Sequence, residues 1–69
     1  MEDVYPYVVI RHQGMLYRIE RSPFESHERT MDRGWYIVKQ KPTSVMDFAR
    51  AEAESHRWAN EKYYGMQYV

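Results

Sequence analysis

The apolar positions of this chain change period along its length. Between Tyr5 and Arg21 they come in two short alternating runs, Tyr5-Pro6-Tyr7-Val8-Val9-Ile10-Arg11-His12 and Met15-Leu16-Tyr17-Arg18-Ile19-Glu20-Arg21. Alternation at two residues, with Val, Ile and Tyr, suits strands half buried on a sheet. Pro6 fits the first position of a strand or an edge. Gln13-Gly14 lies between the runs, and a two-residue link predicts a tight antiparallel hairpin. His12 would then face Met15, Ile10 would face Tyr17, and Val8 would face Ile19. Side chains alternate across a sheet, so these six form one face, which reads as core. The other face carries Tyr7, Val9, Arg11, Leu16, Arg18 and Glu20.

Gly34-Trp35-Tyr36-Ile37-Val38-Lys39-Gln40-Lys41 is a third dense run of β formers and predicts a third strand. Before it, Ser22, Pro23 and Glu25 match an N-cap, a proline at the first helical position and a capping box. That reading gives a short helix over 23–33, stopped by Gly34, with a charged loop as the alternative. After Pro42 the period becomes helical. Ser44 with Asp47 three positions on is a second capping pattern, and no Gly or Pro follows until Gly65. At 100° per residue, Val45, Phe48, Ala51, Ser55, Trp58, Ala59 and Tyr63 fall on one half of a helix over 44–64. Glu52 also lies near the middle of that half, one turn from His56. Met66-Gln67-Tyr68-Val69 would add a short fourth strand. The expected fold is therefore α+β: a three-stranded antiparallel sheet covered by one long C-terminal helix, as a single domain over 1–69.

Composition narrows the function more than it identifies one. With no Cys, neither a disulfide nor a thiolate zinc site is available. Ten Lys and Arg balance ten Asp and Glu, and this neutrality argues against a dedicated nucleic-acid binder, whose affinity rests on phosphate neutralisation. The acidic Met1-Glu2-Asp3 and the lack of a long apolar run point to a soluble intracellular (cytoplasmic or host-cytoplasmic) protein with no membrane role. There is no phosphate loop, nucleophile elbow or His-Glu-x-x-His pattern. His27 among Glu25, Glu28 and Asp32 matches no metal-ligand spacing, and it reads as an exposed polar segment. Glu52 reads as a structural acid hydrogen-bonded to His56 or to an arginine from the sheet, with a perturbed acid in a cleft as the functional alternative. The volume expected of so short a chain leaves no room for a substrate pocket. The chain therefore reads as a non-enzyme with no catalytic, metal-binding or cofactor-binding residue and no cofactor.

Seven Tyr and two Trp exceed what so small a core needs. Tyr, Trp and Arg dominate protein interfaces. Tyr7, Arg11 and Arg18 on the outer sheet face, with Trp35 or Tyr36 and Lys39 or Lys41 from the third strand, would form an aromatic–basic platform. Tyr64 would be a further exposed contact. The expected function is a small protein-interaction module, an inhibitor or adaptor with a protein partner, and homodimerisation would supplement a small core. The alternative is a nucleic-acid-binding module that stacks bases on the same face. Three strands then a long helix resembles, in element order alone, the AP2-like arm-site DNA-binding domains of phage-type integrases. That resemblance would put Arg11, Arg18 and Lys39 on DNA. In size and composition the chain also resembles small accessory proteins of phages and viruses.

Overall fold

The computed structural model describes residues 6–64. Its elements run β1 (Tyr7–His12), β2 (Met15–Glu20), α1 (His27–Lys39) and α2 (Val45–Tyr64). The class is α+β, and the sheet among the described residues is a two-stranded antiparallel hairpin. The expected fourth strand at 66–69 lies outside the described residues.

The hairpin has the register that alternation predicts: His12 faces Met15, Ile10 faces Tyr17, and Val8 faces Ile19. Its turn places Gln13 at φ 52° and Gly14 at φ 79°, the pair of left-handed residues that matches the strand twist. Val8, Ile10 and Ile19 are buried on the inner face.

The segment read as a third strand is the second half of a helix. α1 starts at Ser26, whose side chain accepts a hydrogen bond from the Arg29 backbone N–H, and continues through Gly34 to Lys39. Ser22 is not the cap. Its oxygens instead accept from the backbone N–H groups of Phe24 (3.2 Å) and Glu25 (3.0 Å), closing a turn around Pro23. The buried residues of α1 are Thr30, Arg33, Gly34, Ile37 and Val38, spaced three and four apart as on a single helical stripe. Only the last two are large and apolar, so hydrophobicity alone shows the β-like end and hides the stripe. Gly34 does not stop the helix. A Cβ there would overlap Ile10 Cδ1 and lie 3.0 Å from Ile19 Cγ1, so glycine is what lets helix and sheet touch.

The cover of the sheet is accordingly α1, not the C-terminal helix. α1 contacts both strands on one side and α2 on the other, whereas α2 makes no comparable contact with the strands. The resemblance in element order to integrase arm-site domains falls with the third strand. Gln40 caps α1 and Lys41 turns the chain at φ 54°. Ser44 Oγ then accepts from the Asp47 N–H at 3.0 Å, and α2 runs back antiparallel. Ala51, Ser55 and Ala59 are buried, small enough to bring the two helices close. Trp58 stacks on Tyr36 with centroids 5.1 Å apart. Asp32 receives hydrogen bonds from Lys62 and Tyr63, each at 2.7 Å.

Candidate interaction surfaces

The outer face of the hairpin is covered by neither helix. Its cross-strand pairs are Tyr7 with Glu20, Val9 with Arg18 and Arg11 with Leu16. Val9 is 51% and Leu16 63% exposed. The Arg18 guanidinium sits 4.0 Å over the Tyr7 ring and pairs with Glu20 at 2.9 Å. Exposed pairs of this kind add little stability, but together they hold Arg18 flat along the face. Arg11 forms no ion pair with a described residue. The result is an apolar centre of Val9 and Leu16 bordered by an aromatic ring, two arginines and one acid.

Of the six expected contact residues, three share this face: Tyr7, Arg11 and Arg18. Trp35 does not join them. As a helical residue it meets the inner-face His12 edge to face, with centroids 5.7 Å apart. Tyr36, the other aromatic considered for that face, stacks between the helices. Lys39 is exposed in the last turn of α1, where a cation suits the negative helix end. Tyr64 belongs to a separate site at the end of α2.

That site is an open groove of about 480 Å³, lined by Ser22, Phe24, Glu25, Ser26, Arg29, His56, Asn60, Tyr63 and Tyr64. A groove of that volume overturns the expectation that the chain has no room for one. Phe24 stands on the Ser22–Glu25 turn with 98% of its surface exposed. Arg29 lies 5.8 Å from the Tyr63 ring centroid and 5.4 Å from that of Tyr64.

The wall beneath the groove contains the polar centre that sequence reasoning missed. Glu25 is 8% and Arg33 1% exposed. Arg33 grips the carboxylate with two hydrogen bonds, Nε to Oε2 at 2.6 Å and Nη2 to Oε1 at 2.8 Å. The Thr30 hydroxyl donates to Oε1 at 3.0 Å, and Arg29 Nε to Oε2 at 3.1 Å. Arg33 also reaches Ser55 Oγ at 3.3 Å and the Glu20 carbonyl at 2.8 Å. One guanidinium thus joins β2, the β2–α1 link, α1 and α2. Burial alone would push the Glu25 carboxyl up. The Arg33 hydrogen bonds and charge, the Thr30 hydroxyl and the Arg29 charge outweigh it and bring the group down from 4.5 to about 2. Glu25 therefore stays ionised and fully engaged at neutral pH.

Glu52, expected to be the misplaced acid of the core cover, is only half-buried. Its backbone carbonyl accepts from Ser55 Oγ at 2.6 Å. His56 is exposed at the groove. Loss of surrounding water and the Arg33 charge lower its imidazole pKa, against the pull of Glu25 and Glu52. His27 is exposed on the first turn of α1. No group of three or more metal-ligating side chains occurs among the described residues. No described helix is long and apolar enough to cross a membrane. The one available signal for the buried pair was spacing: Glu25, Arg29 and Arg33 recur every four residues, and an acid leading arginines at that interval suits one side of a helix.

No protein-family model, no curated protein and no solved structure matches this chain.

Proposed function

We propose that the chain is a small non-catalytic interaction module, an adaptor or inhibitor that acts by occupying a partner protein's surface through the outer face of its hairpin. The observation that carries this reading is the uncovered apolar centre of Val9 and Leu16, bordered by Tyr7, Arg11 and Arg18. Both helices lie on the other side of the strands, so this face has no partner within the described residues. Apolar area ringed by aromatic and arginine side chains is the composition of an interface centre. Mixed charge supports a protein partner over a polyanion: Arg18 is already paired with Glu20, and the chain carries no net charge. The main buried acid supports a non-catalytic reading, because its oxygens are engaged by Arg33, Arg29 and Thr30.

The test compares the unmodified protein with Leu16→Glu, whose side chain is solvent-facing and should leave the fold intact. Proteins captured by the unmodified chain are identified, purified and titrated against both forms. The reading expects at least one purified partner to bind, with Leu16→Glu weakening it tenfold or more at unchanged thermal midpoint. A partner that binds both forms equally refutes the surface. Oligonucleotide binding at low salt that falls steeply with added salt, and is lost in Arg11→Ala/Arg18→Ala, would replace the reading with nucleic-acid recognition.

A further inference from the structure

The groove at the start of α1 shares no residue with the hairpin face, and its chemistry is different. Its walls are aromatic: Phe24 on one side, Tyr63 and Tyr64 on the other. Phe24 is not a side chain left loose at a loop tip. Pro23 restricts the backbone before it, and Ser22 ties down the backbone N–H groups of Phe24 and Glu25. The backbone that carries Phe24 is thus fixed, and its exposed ring stands beside a groove of about 480 Å³.

The polar floor carries surplus positive charge. The Glu25 carboxylate is gripped on both oxygens by Arg33 and is also paired with Arg29, so two guanidinium groups share one acid. A guanidinium has five N–H groups. Arg29 directs Nε–H to Glu25 and one Nη2 hydrogen to the Asn60 side-chain oxygen, and no other hydrogen bond from its side chain is formed among the described residues. Arg29, mostly buried, lines the groove together with His56. This arrangement complements one carboxylate flanked by an apolar side chain. It suits a phosphodiester strand poorly, because Glu25 lies in the wall and Glu28 is close enough to Tyr63 to raise its pKa.

We propose that this groove is a second docking site, which takes a short extended acidic peptide of a partner protein. An Asp or Glu side chain would meet Arg29, and an adjacent apolar side chain would enter between Phe24 and the two tyrosines. Arginine–carboxylate recognition supplies direction, and the aromatic walls supply contact area.

A random dodecapeptide display library selected against the full chain, with counter-selection on Phe24→Ala, tests this site. Phe24 is almost wholly exposed, so its removal should leave the thermal midpoint unchanged. The expected result is enrichment of peptides with an Asp or Glu next to an aliphatic or aromatic residue. A synthetic copy of an enriched peptide should bind at least tenfold more weakly to Phe24→Ala. The same loss is expected when its acid is replaced by the matching amide, while Leu16→Glu on the hairpin should bind it normally. That last control separates failure here from failure of the hairpin reading. The proposal is overturned by no enrichment, by acid-free winners, by equal binding of the amide peptide, or by displacement with an oligonucleotide. Nuclear Overhauser contacts from Met66 or Tyr68 to Phe24 and Tyr63 would assign the groove to the chain's own last residues, and would also overturn it.

Discussion

Glu25→Gln should remove most of the protein's stability and most of its sensitivity to acid. The substitution keeps the side chain's shape but discards the charge that neutralises Arg33, which is 1% exposed. Breaking a buried pair by deleting one partner costs about 3–5 kcal/mol, because a desolvated charge is left behind. At ~0.05–0.15 kcal/mol per residue, a chain of this size has only about 3–10 kcal/mol in total. The pH dependence gives an independent magnitude. The Glu25 carboxyl moves from 4.5 to about 2 on folding, which at ~1.4 kcal/mol per unit corresponds to about 3 kcal/mol. Because the folded value lies below the unfolded one, this contribution is complete above pH 4.5. It drains away as pH falls towards 2. Urea melts followed by far-ultraviolet circular dichroism at pH 7, 4.5, 3 and 2 read both effects. The unmodified protein should lose about 3 kcal/mol between pH 4.5 and 2, whereas Glu25→Gln should start lower and change much less across that window. Replacing both partners, as Glu25→Met/Arg33→Met, should recover more than half of the loss at pH 7, since apolar substitutes often match a buried pair. A Glu25→Gln protein within about 1 kcal/mol of the unmodified one at pH 7, or with an unchanged acid slope, would refute the assignment of stability to this pair.

Three further outcomes follow from the geometry. Gly34→Ala should destabilise by about 1–3 kcal/mol in urea melts despite alanine's higher helix propensity, because its Cβ must displace Ile10 and Ile19. Lys41→Gly should raise stability by about 0.5–1 kcal/mol, since Lys41 turns the chain at φ 54°, where a side chain is strained; a loss of stability would contradict this. One phenol, Tyr63, should ionise only near pH 12, because burial and its hydrogen bond to Asp32 oppose the phenolate, with the hydrogen bond the larger effect. In Asp32→Asn its titration, followed by ultraviolet difference absorbance, should move back towards 10, and an unshifted curve would show that the bond is not formed in solution.

What was legible in the sequence was local. The hairpin register follows from alternation and a two-residue link, because shifting one strand by a residue would turn Val8, Ile10 and Ile19 to the solvent side. The Ser44 boundary follows from a cap whose partner, Asp47, is three residues away. The inner face of the sheet follows for the same reason, except that Met15, expected in the core, is 60% exposed beside the turn. Of the expected platform, Tyr7, Arg11 and Arg18 came together because their positions are set by that register alone.

The rest was decided in three dimensions. Ile37 and Val38 are strong β formers, and nothing within eight residues of them says that Thr30, Arg33 and Gly34 complete a helical stripe. Arginine reads as a surface residue until Glu25, Thr30, Ser55 and the Glu20 carbonyl are gathered around it. Only the tertiary structure assembles those groups, and only then is burying the guanidinium compatible with a stable fold. Once α1 is a helix, Trp35 and Lys39 leave the sheet, α1 becomes its main cover, and the C-terminal helix packs on α1, adding Ala51 and Phe48 to the same core. Short-range periodicity was enough for the two hairpin strands and their faces. Which helix covers them shows only in contacts between segments distant along the chain: Gly34 against Ile10 and Ile19, and Arg33 on the Glu20 carbonyl and Ser55.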